Sequence, residues 1–325
     1  MRALVTGATG FIGRHLVAAL VAAGWQVRCL VRPTSDRRPL AMYPVEYCVG
    51  SLDDAAALRR ALEGIEVVFH LAGATKARTA ADYDRVNYGG TQRVLAACAA
   101  LPAPPPALLY VSSIAAAGPS PRGVPLKESD PPRPAGPYGA SKRRAEEAVL
   151  ACRSYQRVMV LRPSAVYGPG DTDFLPLFRA VKRGVLPCIG RQTLHFDLCF
   201  VQDVVQGLLA AAASPQAWGE VFFLGGQAST WQALGEAIAQ QLGTRLRRLV
   251  VPYALALAAV EGAACWARLR RRPSVLSGAN LRERLQPYWL CDSSKARQTF
   301  GYAPRVSLAE GIAETLRWYR TAGWL

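Results

Sequence analysis

The chain has 325 residues, of which 51% are hydrophobic and 19% are charged, and this balance excludes an intrinsically disordered protein. Its length is sufficient for one large domain or two smaller ones. The formal net charge of +16 and the pI of about 9.9 favour anionic partners, such as nucleotide phosphates or acidic lipid head groups, or reflect a solvated basic surface. We expect no specific nucleic-acid partner, because the sequence has no helix-turn-helix, zinc-finger or aromatic RNA-binding signature.

The cysteine pattern indicates that the protein resides in a reducing cellular compartment. The eight cysteines show no C-x-x-C spacing, and several lie in apolar runs, where a reduced thiol behaves as a small apolar side chain. We therefore expect a cytoplasmic protein with no disulfide framework and no metal site. The apolar N-terminus superficially resembles a signal peptide, but its removal would delete the first predicted strand, so we reject that interpretation.

Short apolar runs alternate with helical patterns in the first half of the chain. The predicted strands are Ala3–Thr6, Val27–Val31, Val45–Val49, Val67–Leu71, Leu108–Ser112 and Val158–Leu161. The predicted helices are Ile12–Ala23, Ala55–Leu62, Asp82–Leu101 and Tyr138–Tyr155. Nearly continuous apolar strands that alternate with helices predict an α/β fold with a doubly wound parallel sheet, in which the ligand crevice lies at the carboxyl ends of the strands.

The first predicted strand runs directly into a turn that contains Gly7, Gly10 and Gly13, and a helix follows. Gly7 would permit the tight turn, Gly10 would let the backbone approach phosphates, and Gly13 would let the helix pack closely on the strand. The N–H groups and the positive dipole end of the helix would then face an anion. With its flanking strand and helix, this pattern predicts a dinucleotide-binding Rossmann turn; the alternative is an ordinary βα turn that is rich in glycine.

The pattern becomes irregular beyond residue 163. A helix at Val204–Ala213 and a strand at Val221–Leu224 are expected to return to the sheet. We therefore predict a dinucleotide-binding Rossmann domain over residues 1–163, with returning segments near 196–224. Residues 164–325 are then mainly a smaller, discontinuous substrate-binding lobe, and the proline-rich stretch 118–137 is a loop near the crevice.

A second pattern combines a tyrosine, a lysine and two serines. Tyr138 and Lys142 are four residues apart on a predicted helix and share one of its faces. Ser112 and Ser113 end the fifth predicted strand, beside the crevice. Tyrosine, with a pKa of about 10, is a poor base near neutral pH, and a nearby cation lowers that pKa. We therefore expect an acid/base pair with a serine that polarises a substrate oxygen; the alternative is an exposed tyrosine and lysine on a helix.

These motifs occur together with further ones that make the chain resemble the extended branch of the short-chain dehydrogenase/reductase family over essentially its whole length. The matching segments are Thr6–Gly13, His70-Leu71-Ala72-Gly73, Asn87-Tyr88-Gly89-Gly90-Thr91, Val111-Ser112-Ser113, Tyr138-x-x-x-Lys142 and Leu161-Arg162-Pro163-Ser164-Ala165-Val166-Tyr167-Gly168-Pro169. The resemblance implies an NAD(P)-dependent oxidoreductase. It also implies that Tyr138 is the acid/base, that Lys142 lowers the pKa of Tyr138 and holds the nicotinamide ribose, and that Ser113 orients the substrate oxygen.

The resemblance further implies which residues contact the cofactor. Pro163 and Val166 would flank the nicotinamide, Asn87 would contact the cofactor or order the crevice wall, and His70 would have a structural role. The other cofactor-binding residues that the resemblance implies are Gly7, Thr9, Gly10, Phe11, Ile12, Gly13, Ser51, Leu52, Leu71, Ala72, Gly73 and Ser112, together with Tyr138 and Lys142.

The end of the second strand bears on the choice between the two nicotinamide cofactors. NAD-binding relatives carry an acidic residue there for the ribose hydroxyls, whereas this chain has Val31 followed by Arg32, with Arg37 and Arg38 nearby. A guanidinium binds a 2′-phosphate through two hydrogen bonds. We therefore predict a preference for NADP(H) with Arg32 as the main contact; the alternative is unselective binding of NAD(H). Ser51 weakly replaces the aspartate that the family often has beside the adenine.

Departures from the family pattern reduce the number of reactions that the sequence is compatible with. Dehydratases usually have Asp-Glu after the active serine or threonine, whereas Ser113 is followed by Ile114-Ala115-Ala116. Phe196 occupies the position at which sugar-nucleotide enzymes often have an arginine for the diphosphate. An apolar run over 174–178 is consistent with an apolar substrate lobe or with an ordinary hydrophobic core. The run contains Phe174, Leu175, Leu177 and Phe178. We predict interconversion of a secondary alcohol and a ketone on a steroid-, terpenoid- or lipid-like substrate.

Two alternatives remain for the function. One is a sugar-nucleotide epimerase with tightly held NAD(P), in which Arg179, Lys182 or Arg183 would hold the phosphates. The other is a non-catalytic nucleotide-binding scaffold, against which the intact serine, tyrosine and lysine argue.

One segment resembles a membrane-surface helix. Leu249–Val260 is uncharged and largely apolar, and a basic patch follows it. The patch comprises Arg268, Arg270, Arg271 and Arg272. We expect either peripheral membrane contact near Leu249–Arg272 or a packed helix with a solvated basic end. The family resemblance also implies a homodimer through the helices around Asp82–Leu101 and Tyr138–Tyr155.

Overall fold

The computed structural model describes residues 1–101, 104–153, 156–269, 281–283 and 285–325, without the side chains of residues 264 and 267–269. A parallel sheet of seven strands forms its centre. The strands are β1 (Arg2–Thr6), β2 (Gln26–Val31), β3 (Val45–Val49), β4 (Val67–His70), β5 (Ala107–Val111), β6 (Val158–Pro163) and β10 (Val221–Leu224). Their order is β10-β6-β5-β4-β1-β2-β3, so the winding reverses between β1 and β4, where doubly wound sheets bind ligands.

Helices cover both faces of this sheet. They are α1 (Phe11–Ala22), α2 (Ala55–Leu62), α3 (Ala80–Tyr83), α4 (Gly90–Ala99), α5 (Ile114–Ala117), α6 (Pro137–Ala151) and α8 (Val201–Ala213). On one face α1 and α8 bury residues such as Leu16 and Leu208 against the strands, and on the other α2, α4 and α6 bury Leu58, Val94 and Val149. Because both faces are covered, β5 and β6 are buried along their whole length. The predicted doubly wound α/β fold is confirmed.

The remaining elements form a smaller lobe. They are β7 (Ala165–Tyr167), α7 (Leu175–Lys182), β8 (Val185–Ile189), β9 (His195–Phe200), β11 (Gln227–Thr230), α9 (Trp231–Leu242), β12 (Arg247–Val251), α10 (Tyr253–Leu269), β13 (Tyr288–Trp289), α11 (Ser294–Phe300) and α12 (Leu308–Thr321). Strand β9 pairs with β7, β11 and β13, and β12 pairs in parallel with β8. Helix α11 packs back against β10, so the C-terminal half contributes to both parts.

The structure departs from the predicted elements at several points. The predicted helix Asp82–Leu101 is divided into α3, a π-helical turn at Asp84–Gly89 and α4. The predicted helix Tyr138–Tyr155 ends at Ala151, and Tyr155 lies outside the described residues. Residues 196–200 of the predicted returning segment belong to β9 of the smaller sheet, whereas α8 and β10 return as expected.

The segment predicted as a surface helix is also divided. Leu249–Val251 is the end of β12, because these apolar residues pair with β8, and the helix begins only after Pro252. Arg270, Arg271 and Arg272 lie outside the described residues, and the side chain of Arg268 is not described. No helix in the described parts of the chain is both long and apolar enough to cross a bilayer.

Candidate active site

The glycine turn lies between β1 and α1. Gly7 has a φ of +73°, and a Cβ on it would come within 2.8 Å of the Ala72 nitrogen. A Cβ on Gly13 would lie 2.1 Å from the Gly7 oxygen, so these two glycines are required by the backbone packing itself. A Cβ on Gly10 would meet only the Gly7 oxygen, at 3.1 Å. Gly10 therefore leaves its outer side open, as the approach of a phosphate requires.

The start of α1 is suited to an anion. Its N-cap Gly10 provides no side-chain cap, and its first turn carries no acidic residue, so the terminal N–H groups and the positive dipole end are available. The helix is fixed to the smaller lobe, because Arg14 Nη2 donates to the Gly170 oxygen and the His15 ring is hydrogen-bonded to the Pro169 oxygen at 2.9 Å. These residues fit the pyrophosphate of a dinucleotide.

The residues expected at the adenosine end lie beyond β2 and β3. Arg32 is exposed at the end of β2 and makes no ion pair with any described residue. Arg38 is paired with Asp36 at 2.8 Å, and the Arg37 guanidinium lies 5.5 Å from the Tyr47 ring centre. The Ser51 hydroxyl accepts a hydrogen bond from the Asp53 nitrogen at 3.2 Å. Arg32 is thus the arginine of this group that has neither an ion pair nor a ring contact in the described structure.

Ser113, Tyr138 and Lys142 converge at the carboxyl end of β5. Ser113 caps α5, and its hydroxyl accepts from the Ala115 nitrogen at 3.2 Å. Tyr138 lies in the first turn of α6, close enough to Ser113 for the serine hydroxyl to act on the pKa of the phenol. One turn later, buried Lys142 donates from Nζ to the Val111 oxygen at 2.7 Å. The structure therefore brings together the three predicted catalytic residues.

The electrostatics differ from the sequence-based expectation. Burial raises the pKa of Tyr138 to about 12, although the neighbouring Ser113 hydroxyl opposes this increase. Burial also lowers the pKa of Lys142 to about 7, and the negative charge of Glu146 opposes that decrease. The expected lowering of the tyrosine pKa by Lys142 is not found, because the cost of burying a phenolate exceeds the opposing contributions of the protein's own groups.

Asn87 connects the loop after β4 to helix α6. Its Oδ1 accepts from the Ala74 nitrogen at 2.7 Å, and its Nδ2 donates to the Ser141 hydroxyl at 2.9 Å. The Ser141 hydroxyl in turn donates to the backbone carbonyl oxygen of Tyr138 at 2.7 Å. A Cβ on Gly73 would lie 2.9 Å from Asn87 Oδ1 and 3.8 Å from Lys142 Nζ. Asn87 and the loop Leu71–Gly73 therefore form one wall of the catalytic crevice.

His70 lies beneath this wall, at the end of β4. Its Nδ1 is 2.6 Å from the Thr6 hydroxyl and its Nε2 is 3.0 Å from the Thr91 hydroxyl. Burial, with a contribution from Lys142, lowers the pKa of His70 to about 3, so the ring is neutral. Both ring nitrogens are used within the protein, which corresponds to the structural role assigned to it.

Several further predicted residues have clear positions. Pro163 ends β6 and Val166 lies in β7, where the main sheet meets the smaller one. Leu52 packs on α4, since a Cβ on Gly90 would come within 2.7 Å of its Cδ1. The apolar run over 174–178 does not form a substrate surface, because Leu175, Leu177 and Phe178 are buried in the core of the smaller lobe and Phe174 packs against that core. Ordinary packing explains this run.

The sequence reasoning missed a buried ion pair behind Lys142. Arg162 Nε donates to Glu146 Oε1 at 2.9 Å and Nη2 donates to Oε2 at 2.7 Å, and both side chains are buried. Two features of the sequence could have indicated this pair: the i, i+4 spacing of Lys142 and Glu146, and the single charged residue within the apolar strand β6. It also missed Tyr83, whose ring centre lies 5.9 Å from that of Tyr138, and Glu283, whose carboxylate lies over Gly136.

Comparison with known proteins places this geometry in a family. Residues 3–225 match the model of the NAD dependent epimerase/dehydratase family. The chain is 36% identical to a ceramide reductase of Caulobacter vibrioides, over 99% of this chain and 95% of the relative. It is 32% identical to a 4-hydroxy-2-methyl-3-oxo-4-farnesyl-3,4-dihydroquinoline-1-oxide ketoreductase of Stigmatella aurantiaca, over 99% and 98% of the two chains.

Its structure is also similar to that of the UDP-glucose 4-epimerase of Thermus thermophilus in complex with NAD. The TM-score is 0.80 at 25% identity, with 99% of this chain and 100% of that chain covered. The family is dependent on nicotinamide dinucleotides. The chain therefore belongs to the NAD dependent epimerase/dehydratase family, the extended short-chain dehydrogenases/reductases, and is an NAD(P)-dependent oxidoreductase of that type.

Proposed function

We propose that this protein is an NADP(H)-dependent oxidoreductase that interconverts a ketone and a secondary alcohol on an apolar, lipid-like substrate. The observation that carries the proposal is the convergence of Ser113, Tyr138 and Lys142 at the carboxyl end of β5, beside the glycine turn. The names of two relatives, a ceramide reductase and a farnesyl-bearing quinoline oxide ketoreductase, support the same reaction class and substrate character.

In the direction of reduction, the protein's own side chains would supply the proton. A bound nicotinamide dinucleotide would supply the hydride for the carbonyl carbon. The raised pKa of Tyr138 keeps its hydroxyl protonated, which is the form that can pass a proton to the substrate oxygen as negative charge develops there. Ser113, which lies beside Tyr138, would orient that oxygen. Lys142, held by the Val111 oxygen, would fix the ribose and contribute positive charge when protonated.

The preference for NADP(H) rests on Arg32. It is exposed at the end of β2, so its guanidinium is available to a 2′-phosphate. Arg32→Ala should weaken NADPH binding roughly 10- to 100-fold and leave NADH binding nearly unchanged. Arg38→Ala is the matched control, because Arg38 is already engaged with Asp36. Equal losses of NADPH and NADH affinity for Arg32→Ala would contradict the assignment.

An apolar substrate is supported by the state of two positions, Phe196 and Arg179, at which a sugar-nucleotide enzyme would hold a diphosphate. Phe196 is buried against Trp231, with ring centres 6.4 Å apart, where sugar-nucleotide enzymes often have an arginine. Arg179 donates to the Trp324 oxygen at 3.1 and 3.0 Å, so it is engaged within the protein. Both observations favour a lipid-like substrate over a nucleoside diphosphate sugar.

The direct test follows NADPH absorbance with steroid, long-chain and aromatic ketones. Tyr138→Phe should lower turnover by roughly 10²- to 10⁴-fold and leave NADPH affinity nearly intact, because only the transferable proton is lost. Tyr83→Phe is the matched control, since its ring lies beside Tyr138 but its hydroxyl faces the Thr75 oxygen at 3.3 Å. Unchanged turnover in Tyr138→Phe would contradict the mechanism.

The structural similarity to a UDP-glucose 4-epimerase favours epimerisation as a second candidate function. An epimerase oxidises and re-reduces its substrate and so consumes no cofactor over a complete turnover. Conversion of a UDP-sugar without net change in NADPH would support this candidate, and stoichiometric NADPH loss with a ketone would exclude it as the main activity.

A further inference from the structure

Strand β12 and helix α10, which follow each other in the chain, expose several large apolar side chains. Leu249 is 55% exposed, Leu255 is 63% exposed and Trp266 is 58% exposed. In α10, Leu255, Ala259, Gly262 and Trp266 are all exposed and follow the spacing i, i+4, i+7 and i+11, which places them on one side of the helix. We call this surface, with Leu249 and Val250 of β12, the β12–α10 face.

Basic side chains surround the β12–α10 face. Arg247 and Arg248 lie in β12 itself, and the register of β12 on β8 brings the basic residues before and after β8 to the same edge. The exposed basic residues of this region are Lys182, Arg183, Arg191, Arg245, Arg247, Arg248 and Arg282. None of them forms an ion pair within the part of the chain that the structure describes. The exposed acidic residue on α10 is Glu261.

A cavity adjoins the first residue of helix α10 and a residue next to Glu283, which reaches the start of helix α6. This cavity of about 380 Å³ lies at the base of α10, and its lining includes Ile189, Tyr253, Arg282 and Leu285. Between the last two residues, Glu283 directs its carboxylate over Gly136, the residue before helix α6 that carries Tyr138. Glu283 therefore links the lining of this cavity to the start of the helix that carries Tyr138.

We propose that the β12–α10 face docks on the surface of a bilayer that contains anionic phospholipids. The apolar side of α10 would enter the head-group region while the surrounding arginines contact lipid phosphates, as in other amphipathic surface helices. A second copy of the chain is a poorer occupant, because a symmetric interface would bring two of these basic clusters together. The idea that docking delivers a lipid substrate to the crevice rests on the proposed function. The docking itself is independent of that function.

Vesicle co-sedimentation with the full-length protein tests the docking. Wild type should bind phosphatidylcholine vesicles that contain phosphatidylglycerol much more strongly than pure phosphatidylcholine vesicles, and high salt should weaken the binding. The double variant Arg247→Ser, Arg248→Ser should lower the partition coefficient about 30-fold. Its matched control is Arg59→Ser, Arg60→Ser, which removes two exposed arginines from α2 and should bind like wild type.

The apolar part of the docking is tested separately. Leu255→Ser should also lower binding to the mixed vesicles, whereas Met42→Ser, at a residue that is 80% exposed on the Rossmann side, should not. No preference of wild type for anionic vesicles, or equal losses in the variants and their controls, would overturn the proposal. A dimer that Leu255→Ser dissociates would overturn it in favour of a second copy.

Activity on a short, water-soluble ketone separates this proposal from the proposed function. Docking variants should keep wild-type turnover on that ketone. Vesicle binding without NADPH turnover would support the docking and contradict the proposed function. Turnover without vesicle binding would support the proposed function and contradict the docking.

Discussion

Replacing Glu146 with glutamine should be among the most destabilising single changes in this protein. The carboxylate is fully buried and receives two hydrogen bonds from Arg162, at 2.9 and 2.7 Å. It also lies 3.5 Å from an Arg143 nitrogen and raises the pKa of Lys142. Glu146→Gln keeps the size of the side chain but leaves three cations, two of them buried, without their shared anion.

The expected loss in the free energy of unfolding follows from the burial of this ion pair. Removing one partner of a buried, hydrogen-bonded ion pair costs about 3–5 kcal/mol, because the remaining charge is left uncompensated. Arg162→Met should cost less than Glu146→Gln, because Glu146 would keep Arg143 and Lys142 as neighbours. The matched control is Glu147→Gln, the adjacent residue, which is paired with Arg143 at 2.9 Å but is 56% exposed. That change should cost less than about 1 kcal/mol.

Equilibrium unfolding in urea, followed by circular dichroism and tryptophan fluorescence, measures these differences. Coincident transitions by the two probes are needed before a free energy of unfolding is assigned, since the protein has two packed parts. If Glu146→Gln were no more destabilising than Glu147→Gln, the reasoning about the buried pair would be refuted.

Two further predictions concern pH and the glycine turn. The folded pKa of Lys142, about 7, is below its ordinary 10.5, so the unfolded chain binds more protons between these values and the free energy of unfolding should rise with pH over about 7 to 10. Lys142→Met should remove that part of the pH dependence, and an identical slope in this variant would contradict the assignment. Gly13→Ala should abolish dinucleotide binding and destabilise the fold, because its Cβ would meet the Gly7 oxygen at 2.1 Å. Gly262→Ala, in open space on α10, should be neutral or slightly stabilising by calorimetry; equal effects of the two changes would contradict the packing argument.

Much of the main sheet could be predicted from the sequence, because central strands such as β5 and β6 are buried on both faces and therefore appear as nearly unbroken apolar runs. The strand Val45–Val49 and the helix Ala55–Leu62 match the predicted bounds. The π-helical turn at Asp84–Gly89 could not be predicted, since such turns are rare and occur mostly as single turns inside α-helices. That turn carries Asn87 to the crevice wall.

The smaller lobe was harder to predict because strand and helix follow each other without a change in composition. Leu249–Val251 reads as part of the apolar helix behind it, although Pro252 marked the boundary. The Glu146–Arg162 pair joins a helix to a strand, so its partners become evident only from the fold. The convergence of Ser113, Tyr138 and Lys142 was predicted from spacing and resemblance, whereas the pKa of Tyr138 depends on burial that no local pattern reports.

The most direct test of the proposed reaction uses NADPH that carries deuterium in both hydrogen positions of the nicotinamide C4, together with a lipid-like ketone. We expect deuterium on the carbinol carbon of the product, in a one-to-one ratio with the NADP⁺ formed, and loss of this transfer in Tyr138→Phe but not in Tyr83→Phe. Deuterium that stays on the cofactor, while NADPH remains bound, would contradict a net ketone reductase.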